Sequence, residues 1–71
     1  MTGWQKRMIA EREELALKIL KLTAFMCGPE FMKLLETERT LMRAQHQHMV
    51  DYHATLVERI LFYIKQYGDS E

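Results

Sequence analysis

Two cations interrupt the apolar helical pattern of this chain, and their positions could attract an anion. Lys18 stands three residues after Leu15, and Arg59 stands three residues after Leu56. At this spacing, side chains share one face of a helix, so both cations are predicted to lie on faces that would normally form a core. A cation there must pair with an anion, reach solvent or destabilise the fold. Two interpretations stay open: an internal salt bridge, or a pocket for an anion from outside.

A large aromatic residue beside cations suggests a second kind of binding chemistry. Trp4 is followed closely by Lys6 and Arg7. An aromatic ring can stack on a nucleobase while neighbouring cations hold the phosphates. Alternatively, Trp4 is a hydrophobic staple that packs the start of the first helix against Tyr63 and Tyr67 near the C-terminus. Composition alone favours the staple.

Other catalytic and metal-binding patterns have little support in the sequence. His46 and His48 face different sides of a helix, and His53 follows at a spacing that is not typical of a zinc site. Cys27 lies at a predicted turn without an orienting triad, and no glycine-rich phosphate loop is present. We therefore expect solvated or interface histidines, no metal, no cofactor and no enzymatic activity.

Length and composition indicate one small domain over 1–71. Ten Lys and Arg balance ten Asp and Glu, and this zero net charge argues against a general DNA or RNA binder. The longest apolar runs, such as 61–64, are too short to cross a bilayer, so no membrane partner is expected. A single cysteine is typical of a reducing compartment. Together these features predict a cytoplasmic protein.

The pattern of helix formers and breakers predicts an all-α fold, an antiparallel helical hairpin with a short intervening helix. Apolar residues recur at the helical period from about 3 to 26, where neither Gly nor Pro follows Gly3. A turn is predicted over 27–30. There Gly28 can adopt the left-handed conformation of a helix C-cap, and Pro29 suits the first turn of the next helix.

The second half of the chain predicts a short helix over about 30–36 and a long helix over about 38–67. Residues 36–38 leave two alternatives. They form an interruption with Thr37 as the N-cap of the long helix, which we favour, or they are exposed helix surface. Gly68 is expected to end the long helix as its C-cap.

The long helix is apolar over a broader arc than a two-helix hairpin can bury, so we expect self-association. Pairing across the turn is predicted to place Trp4 near Arg59, and Lys18 near Gln45 and His46. Lys18 lies about 21 Å from Trp4 along the first helix, at 1.5 Å per residue. A mono- or dinucleotide could not contact both within one chain, so a shared site would need a junction between subunits.

An ordered series of charged and apolar residues extends over nearly the whole chain, from Trp4 to Ile60. It comprises Trp4-Gln5-x-Arg7, Glu11-x-x-Glu14-Leu15-x-x-Lys18-Ile19-x-Lys21-Leu22-x-x-Phe25, Phe31, Leu35, Glu38-Arg39-x-Leu41-Met42, Gln45, Met49, Tyr52, Leu56 and Glu58-Arg59-Ile60. This series resembles the helical hairpin domain of phage anti-CBASS sponge proteins. The same hairpin is similar to one found within anti-Thoeris sponges.

The resemblance implies a non-enzymatic sponge that forms a compact helical homohexamer in the bacterial host cytoplasm. Such proteins sequester cyclic oligonucleotide second messengers, such as 3′,3′-cyclic GMP-AMP, and so silence bacterial immunity. Trp4 matches an aromatic that stacks on the bases of a cyclic dinucleotide, although family members often carry Tyr there. Lys18 matches a lysine that holds the phosphates, and Arg59 matches an arginine of a separate cyclic trinucleotide pocket. Arg7 completes the expected ligand-binding set.

The alternative function is a structural or adaptor hairpin oligomer without a small-molecule ligand. In that case Lys18 and Arg59 would be neutralised by Glu38, by Glu58 or by a partner chain. This alternative predicts a partner protein instead of a cyclic nucleotide.

Overall fold

The computed structural model describes residues 3–68, and this part of the chain is all-helical. Its elements are α1 (Gly3–Met26), α2 (Pro29–Met32) and α3 (Glu36–Tyr67). The helices α1 and α3 pack side by side as an antiparallel hairpin, in a molecule with extents of 50 × 14 × 14 Å. The predicted all-α class is confirmed. None of the helices within 3–68 is long and apolar enough to cross a bilayer.

The connection between the two long helices differs from the sequence prediction in its bounds. The short helix α2 has four residues and ends at Met32, and α3 begins at Glu36. The N-cap of α3 is Leu35, in extended conformation, so the assignment of that role to Thr37 was wrong. Thr37 lies inside the first turn. Glu36 and Glu38 in this turn interact favourably with the positive end of the helix dipole, which favours the earlier start.

The two glycines at the helix ends adopt different conformations. Gly28 is extended, with φ −92° and ψ 171°, so the predicted left-handed cap was wrong there. Its amide donates to the Phe25 carbonyl at 3.0 Å, and it serves as the N-cap of α2 ahead of Pro29, whose position in the first turn is confirmed. Gly68 has φ 71°, and its amide donates to the Ile64 carbonyl at 2.7 Å. Gly68 therefore ends α3 as predicted.

Phe31 anchors the short helix at the turn end of the hairpin. Its side chain is only 4% exposed. The ring makes an edge-to-face contact with Phe25 at a centroid distance of 6.4 Å, and the Arg43 guanidinium lies 5.3 Å from its centroid. One aromatic ring therefore joins α1, α2 and α3, and burying it supplies much of the apolar contact at this end.

Arg39 closes the chain segment between α2 and α3. Its Nη1 donates to the Leu34 carbonyl at 2.5 Å and to the Met32 carbonyl at 3.3 Å. Carbonyl groups just after a helix have no partner in that helix, so a guanidinium satisfies groups that would otherwise need water. This contact fixes the direction in which α3 leaves the turn.

The contact between α1 and α3 follows a single line of side chains, which we call the seam. Leu15 and Leu56 are buried in it, with Leu56 fully enclosed. The seam positions alternate at steps of three and four residues, the spacing of a two-stranded coiled coil. They are Gln5, Met8, Arg12, Leu15, Ile19, Leu22 and Met26 on α1, and Met42, His46, Met49, His53, Leu56, Ile60 and Tyr63 on α3.

Lys18 and Arg59 lie outside the seam, contrary to the prediction from spacing. Both are exposed, and the next residues, Ile19 and Ile60, occupy the seam in their place. A residue three positions after a buried leucine can lie either on the seam or just beside it, because three residues rotate the helix by about 300°. The seam does contain polar side chains, but they are Gln5, Arg12, His46 and His53.

The hairpin leaves a large apolar surface uncovered. Its accessible surface is 5480 Å², whereas roughly 4,700 Å² is typical of a compact monomer of this mass. Large apolar side chains that are more than half exposed include Leu17, Leu20, Leu41, Leu61 and Phe62. The predicted surplus of apolar surface is confirmed, while the number of associating copies stays a prediction.

Candidate ligand-binding site

Residues beside the seam form a continuous edge of the hairpin, which we call the Tyr52 edge. It consists of Trp4, Glu11 and Lys18 on α1, and Tyr52 and Arg59 on α3, all exposed. On each helix these residues recur every seven positions, close to two turns, so they share one face. The Tyr52 hydroxyl donates a hydrogen bond to the Glu11 carboxylate, which brings the two faces together.

The bond between Tyr52 and Glu11 alters the ionisation of the phenol. The hydrogen bond raises the pKa of Tyr52 above its usual value, and partial desolvation and the negative charge of Glu11 add to this effect. The positive charge of Arg59 acts in the opposite direction. The ionisation of Tyr52 therefore responds to an acid and to a cation of the Tyr52 edge, and the acid has the larger effect.

The register of the Tyr52 edge follows from this bond. Two turns from Glu11 towards the N-terminus lies Trp4, and two turns from Tyr52 towards the C-terminus lies Arg59. In antiparallel helices these opposite steps lead towards the same end of the hairpin, where Trp4 contacts Tyr63, one turn beyond Arg59. The Nε2 of His46 lies 2.7 Å from the hydroxyl of Thr23, five residues after Lys18 on α1, and the expected position of His46 near Lys18 stays a prediction.

The two cations of the Tyr52 edge have no counter-ion among residues 3–68. Neither Lys18 nor Arg59 forms an ion pair or a hydrogen bond with any part of the chain that the structure describes. The same holds for Glu38 and Glu58, the two acids considered as internal counter-ions. Between residues 3 and 68, the internal salt bridge that the sequence left open for these two cations is therefore not formed. Their charges face solvent.

Trp4 packs against the end of α3 and still exposes part of its ring. Its centroid lies 4.8 Å from that of Tyr63 at an interplanar angle of 81°, and the residue is 40% exposed. Tyr67 in turn stacks on Tyr63 at 6.0 Å. The staple contact with Tyr63 is present. An edge-to-face pair covers at most one face of either ring, so the contact with Tyr63 does not by itself enclose the indole.

Arg7 lies three residues after Trp4, near the start of α1. It is exposed, and its Nη1 lies 3.6 Å from the point where a β-carbon on Gly3 would be. The guanidinium therefore folds back along the first turn of the helix. This places a positive charge close to Trp4, at the end of the Tyr52 edge.

An open groove continues the Tyr52 edge along α3. Its volume of about 570 Å³ lies in the range of small-molecule sites, although it is open to solvent on one side. The groove is lined by Leu41, Ala44, Gln45, His48, Met49 and Tyr52. A ligand bound there would be enclosed only if another surface covered the open side.

Two residues acquire a role that sequence reasoning missed. Glu11 and Tyr52 belong to the ordered series of charged and apolar residues, but no binding role was assigned to either of them. Their spacing of seven residues from Lys18 and Arg59 was the signal that could have placed them on one edge. His53 is a seam residue whose Nε2 is buried and has no hydrogen-bond partner in the described chain. Within 3–68 no group of three or more metal-ligating side chains occurs.

Comparison with known proteins identifies a family for this chain. The model of a protein family described as Sequestin matches residues 2–62. No curated protein and no solved structure matches the chain. The matched range includes α1, α2 and most of α3, and with them every residue of the Tyr52 edge.

Proposed function

The chain belongs to the Sequestin family, and we propose that it is a phage anti-defence sponge without enzymatic activity. In this proposal it binds cyclic di- and trinucleotide second messengers at subunit junctions in the host cytoplasm and so blocks bacterial CBASS immunity. The family name points to sequestration. The choice of cyclic nucleotides rests on the resemblance to anti-CBASS sponges and on the chemistry of the Tyr52 edge.

The observation that carries the proposal is one edge of the hairpin with two exposed cations and a partly exposed indole ring. Lys18 and Arg59 have no counter-ion in the described chain, and Trp4 on the same edge is 40% exposed. A cyclic dinucleotide carries two negative charges and two flat bases. A protein that binds it therefore needs cations for charge-assisted hydrogen bonds to the phosphates and aromatic rings that stack on the bases. The Tyr52 edge has both kinds of side chain.

A junction between subunits is part of the proposal because of the length of α1. Lys18 and Trp4 are about 21 Å apart along the helix, further than a dinucleotide can span. A second hairpin covering the exposed apolar surface would bring its Trp4 towards Lys18 of the first. A closed hexamer is the assembly that we propose, with the groove along α3 enclosed between copies.

The residues have distinct proposed roles. Trp4 stacks on a base of the cyclic dinucleotide and Lys18 binds its phosphates, while Arg7 adds positive charge near Trp4. Arg59 serves a separate pocket for cyclic trinucleotides. No metal or cofactor takes part, and the ligand leaves unchanged.

Calorimetry with 3′,3′-cyclic GMP-AMP and with a cyclic trinucleotide tests the proposal directly. We expect tight binding of both rings. After heat denaturation of the complex, chromatography should recover each ligand intact, whereas an enzyme would leave products. Sedimentation at micromolar concentration should show an oligomer. A monomer in that measurement would contradict the junction site, and failure to bind any ring would contradict the sponge.

Replacing Lys18 by Ala sharpens the test. Loss of a charge-assisted contact to phosphate should weaken cyclic dinucleotide binding by at least about tenfold. The helix content and the thermal midpoint should stay unchanged, because Lys18 is exposed and forms no hydrogen bond or ion pair within residues 3–68. Lys6→Ala is the matched control, since Lys6 is two residues from Trp4 and so faces almost the opposite side of α1. Equal binding by Lys18→Ala and wild type would show that Lys18 has no such role.

An adaptor or structural oligomer is the second candidate function. It is favoured by the packing of Trp4 on Tyr63 and by the exposed apolar surface, both of which need no ligand. In this case calorimetry would detect no binding of any cyclic nucleotide, while the protein would still form an oligomer or a complex with a partner protein.

A further inference from the structure

We propose, on the basis of the proposed function, that Glu11 recognises guanine in the ligand and that Tyr52 positions it. Glu11 would then be the residue by which this site prefers guanine-containing rings to rings that contain only adenine. The Glu11 carboxylate is held in place by Tyr52 on an edge that is otherwise suited to anions.

The Glu11 carboxylate is oriented but not neutralised. The Tyr52 hydroxyl donates to its Oε2, and this bond ties the side chain to α3. No cation between residues 3 and 68 forms an ion pair with Glu11. Each carboxylate oxygen has two lone pairs, so Oε1 and one lone pair of Oε2 remain available to a ligand.

Glu11, whose carboxylate can still accept hydrogen bonds, lies between the two proposed ligand-binding residues of α1. Glu11 lies seven residues from Trp4 and seven from Lys18, about 10 Å from each along α1. A phosphate that approaches Lys18 or Arg59 meets repulsion from this negative charge. The carboxylate therefore opposes anion binding by its charge. Hydrogen bonds donated to it by another part of the ligand would offset this repulsion.

Among common bases, guanine best fits a fixed carboxylate. Its N1–H and its N2 amino group are adjacent donors that can bond to the two oxygens of one carboxylate. Adenine presents its N6 amino group beside N1, which is an acceptor and would face a carboxylate lone pair. A base that stacks near Trp4 and turns its Watson–Crick edge along α1 would present these groups to Glu11.

Calorimetry with three rings tests the proposal: cyclic di-GMP, 3′,3′-cyclic GMP-AMP and cyclic di-AMP. We expect Glu11→Gln to weaken binding of cyclic di-GMP by at least about tenfold, the size expected when a bidentate base contact is lost. Binding of cyclic di-AMP should stay unchanged or become tighter, since a repulsive charge is removed. Binding of 3′,3′-cyclic GMP-AMP, which contains one guanine, should also become weaker.

Two further variants separate base recognition from a structural role. Tyr52→Phe keeps the aromatic ring but frees Glu11, and it should reduce the preference for cyclic di-GMP over cyclic di-AMP. Glu13→Gln makes the same change of charge on nearly the opposite side of α1, and it should bind all three rings like wild type.

The outcomes distinguish the inference from the proposed function. If Glu11→Gln weakens all three rings equally, or none of them, Glu11 does not recognise guanine even though the sponge function stands. If wild type binds none of the rings, the proposed function itself fails.

Discussion

The turn end of the hairpin and the Tyr52 edge use the same kinds of side chain in opposite ways. At the turn end, Arg39 donates to two carbonyl oxygens and Arg43 lies over the Phe31 ring. On the Tyr52 edge, Lys18 and Arg59 form no hydrogen bond or ion pair with the described chain. Cations that stabilise this fold thus have partners inside it.

The difference shows how binding capacity can be separated from folding in so small a protein. A chain of 71 residues has only a few kcal/mol of stability to distribute. The turn end concentrates its stabilising contacts on Phe31 and Arg39. The edge residues contribute little to the folded hairpin, and they are therefore free to bind something else.

Removing the aromatic ring at the turn end should have the largest effect on stability. Phe31→Ala removes a side chain that is 4% exposed and its contact with Arg43, so we expect a loss of about 3 kcal/mol in the free energy of unfolding. Urea unfolding followed by circular dichroism measures this. Phe31→Leu, which should lose about 1 kcal/mol, keeps the test interpretable if the alanine variant does not fold. Wild-type stability in both variants would contradict the assignment.

Arg39 at the turn end and Arg59 on the Tyr52 edge allow a matched comparison of how much each region contributes to stability. Arg39→Ala should lower the free energy of unfolding by about 2 kcal/mol, because two carbonyl groups lose a charged donor. Arg59→Ala should change the free energy of unfolding by less than about 0.5 kcal/mol, as is usual for an exposed residue with no hydrogen bond or ion pair to the described chain. The loss in the free energy of unfolding for Arg39→Lys should lie between those of the two alanine variants, since an ammonium group keeps the charge but cannot reproduce the planar guanidinium fork. Equal effects of the two alanine variants would remove the contrast.

His53 tests whether the seam also contains a destabilising group. Its Nε2 is buried without a hydrogen-bond partner in the described chain, so His53→Leu should raise the free energy of unfolding by about 1 kcal/mol. His46→Leu is the control, because His46 contacts the Thr23 hydroxyl and its replacement should not stabilise the protein. A destabilised His53→Leu variant would indicate that His53 has a partner in the assembled protein.

The bond between Tyr52 and Glu11 should make stability depend on pH in the alkaline range. The pKa of Tyr52 is raised in the folded protein, so the folded state retains the phenol proton at a pH where the unfolded chain loses it. Its stabilising effect is complete below about pH 10 and is lost as the pH rises further. Thermal midpoints between pH 8 and 11.5 should fall more steeply for wild type than for Tyr52→Phe. Parallel curves would show that the bond does not persist in solution.

The hairpin and several of the helix boundaries could be predicted from local sequence. The helical period and the absence of internal breakers defined α1 and α3, and Gly68 marked the end of α3. The conformation of Gly28 was not predictable in the same way. A glycine can serve as the left-handed cap of one helix or as the extended N-cap of the next, and the positions of Phe25 and Pro29 select the second.

The candidate site could be predicted only in part. The periodicity found Lys18 and Arg59 but assigned them to the wrong face, because positions beside a seam have nearly the same spacing as positions within it. Glu11 and Tyr52 could not be paired from the sequence. Their contact depends on the rotation of each helix about its axis, and that rotation is set by how the seam packs.

By itself, the sequence determined that this protein is an all-α hairpin with more apolar surface than one seam can bury. Helix propensity and the apolar period are local properties, so they act before any tertiary contact forms. Only the tertiary structure decided which cations have no partner in the described chain and which residues lie opposite them across the hairpin. Packing of α1 against α3 fixes their relative rotation and register, and a rotation of one residue position exchanges a seam residue for an edge residue.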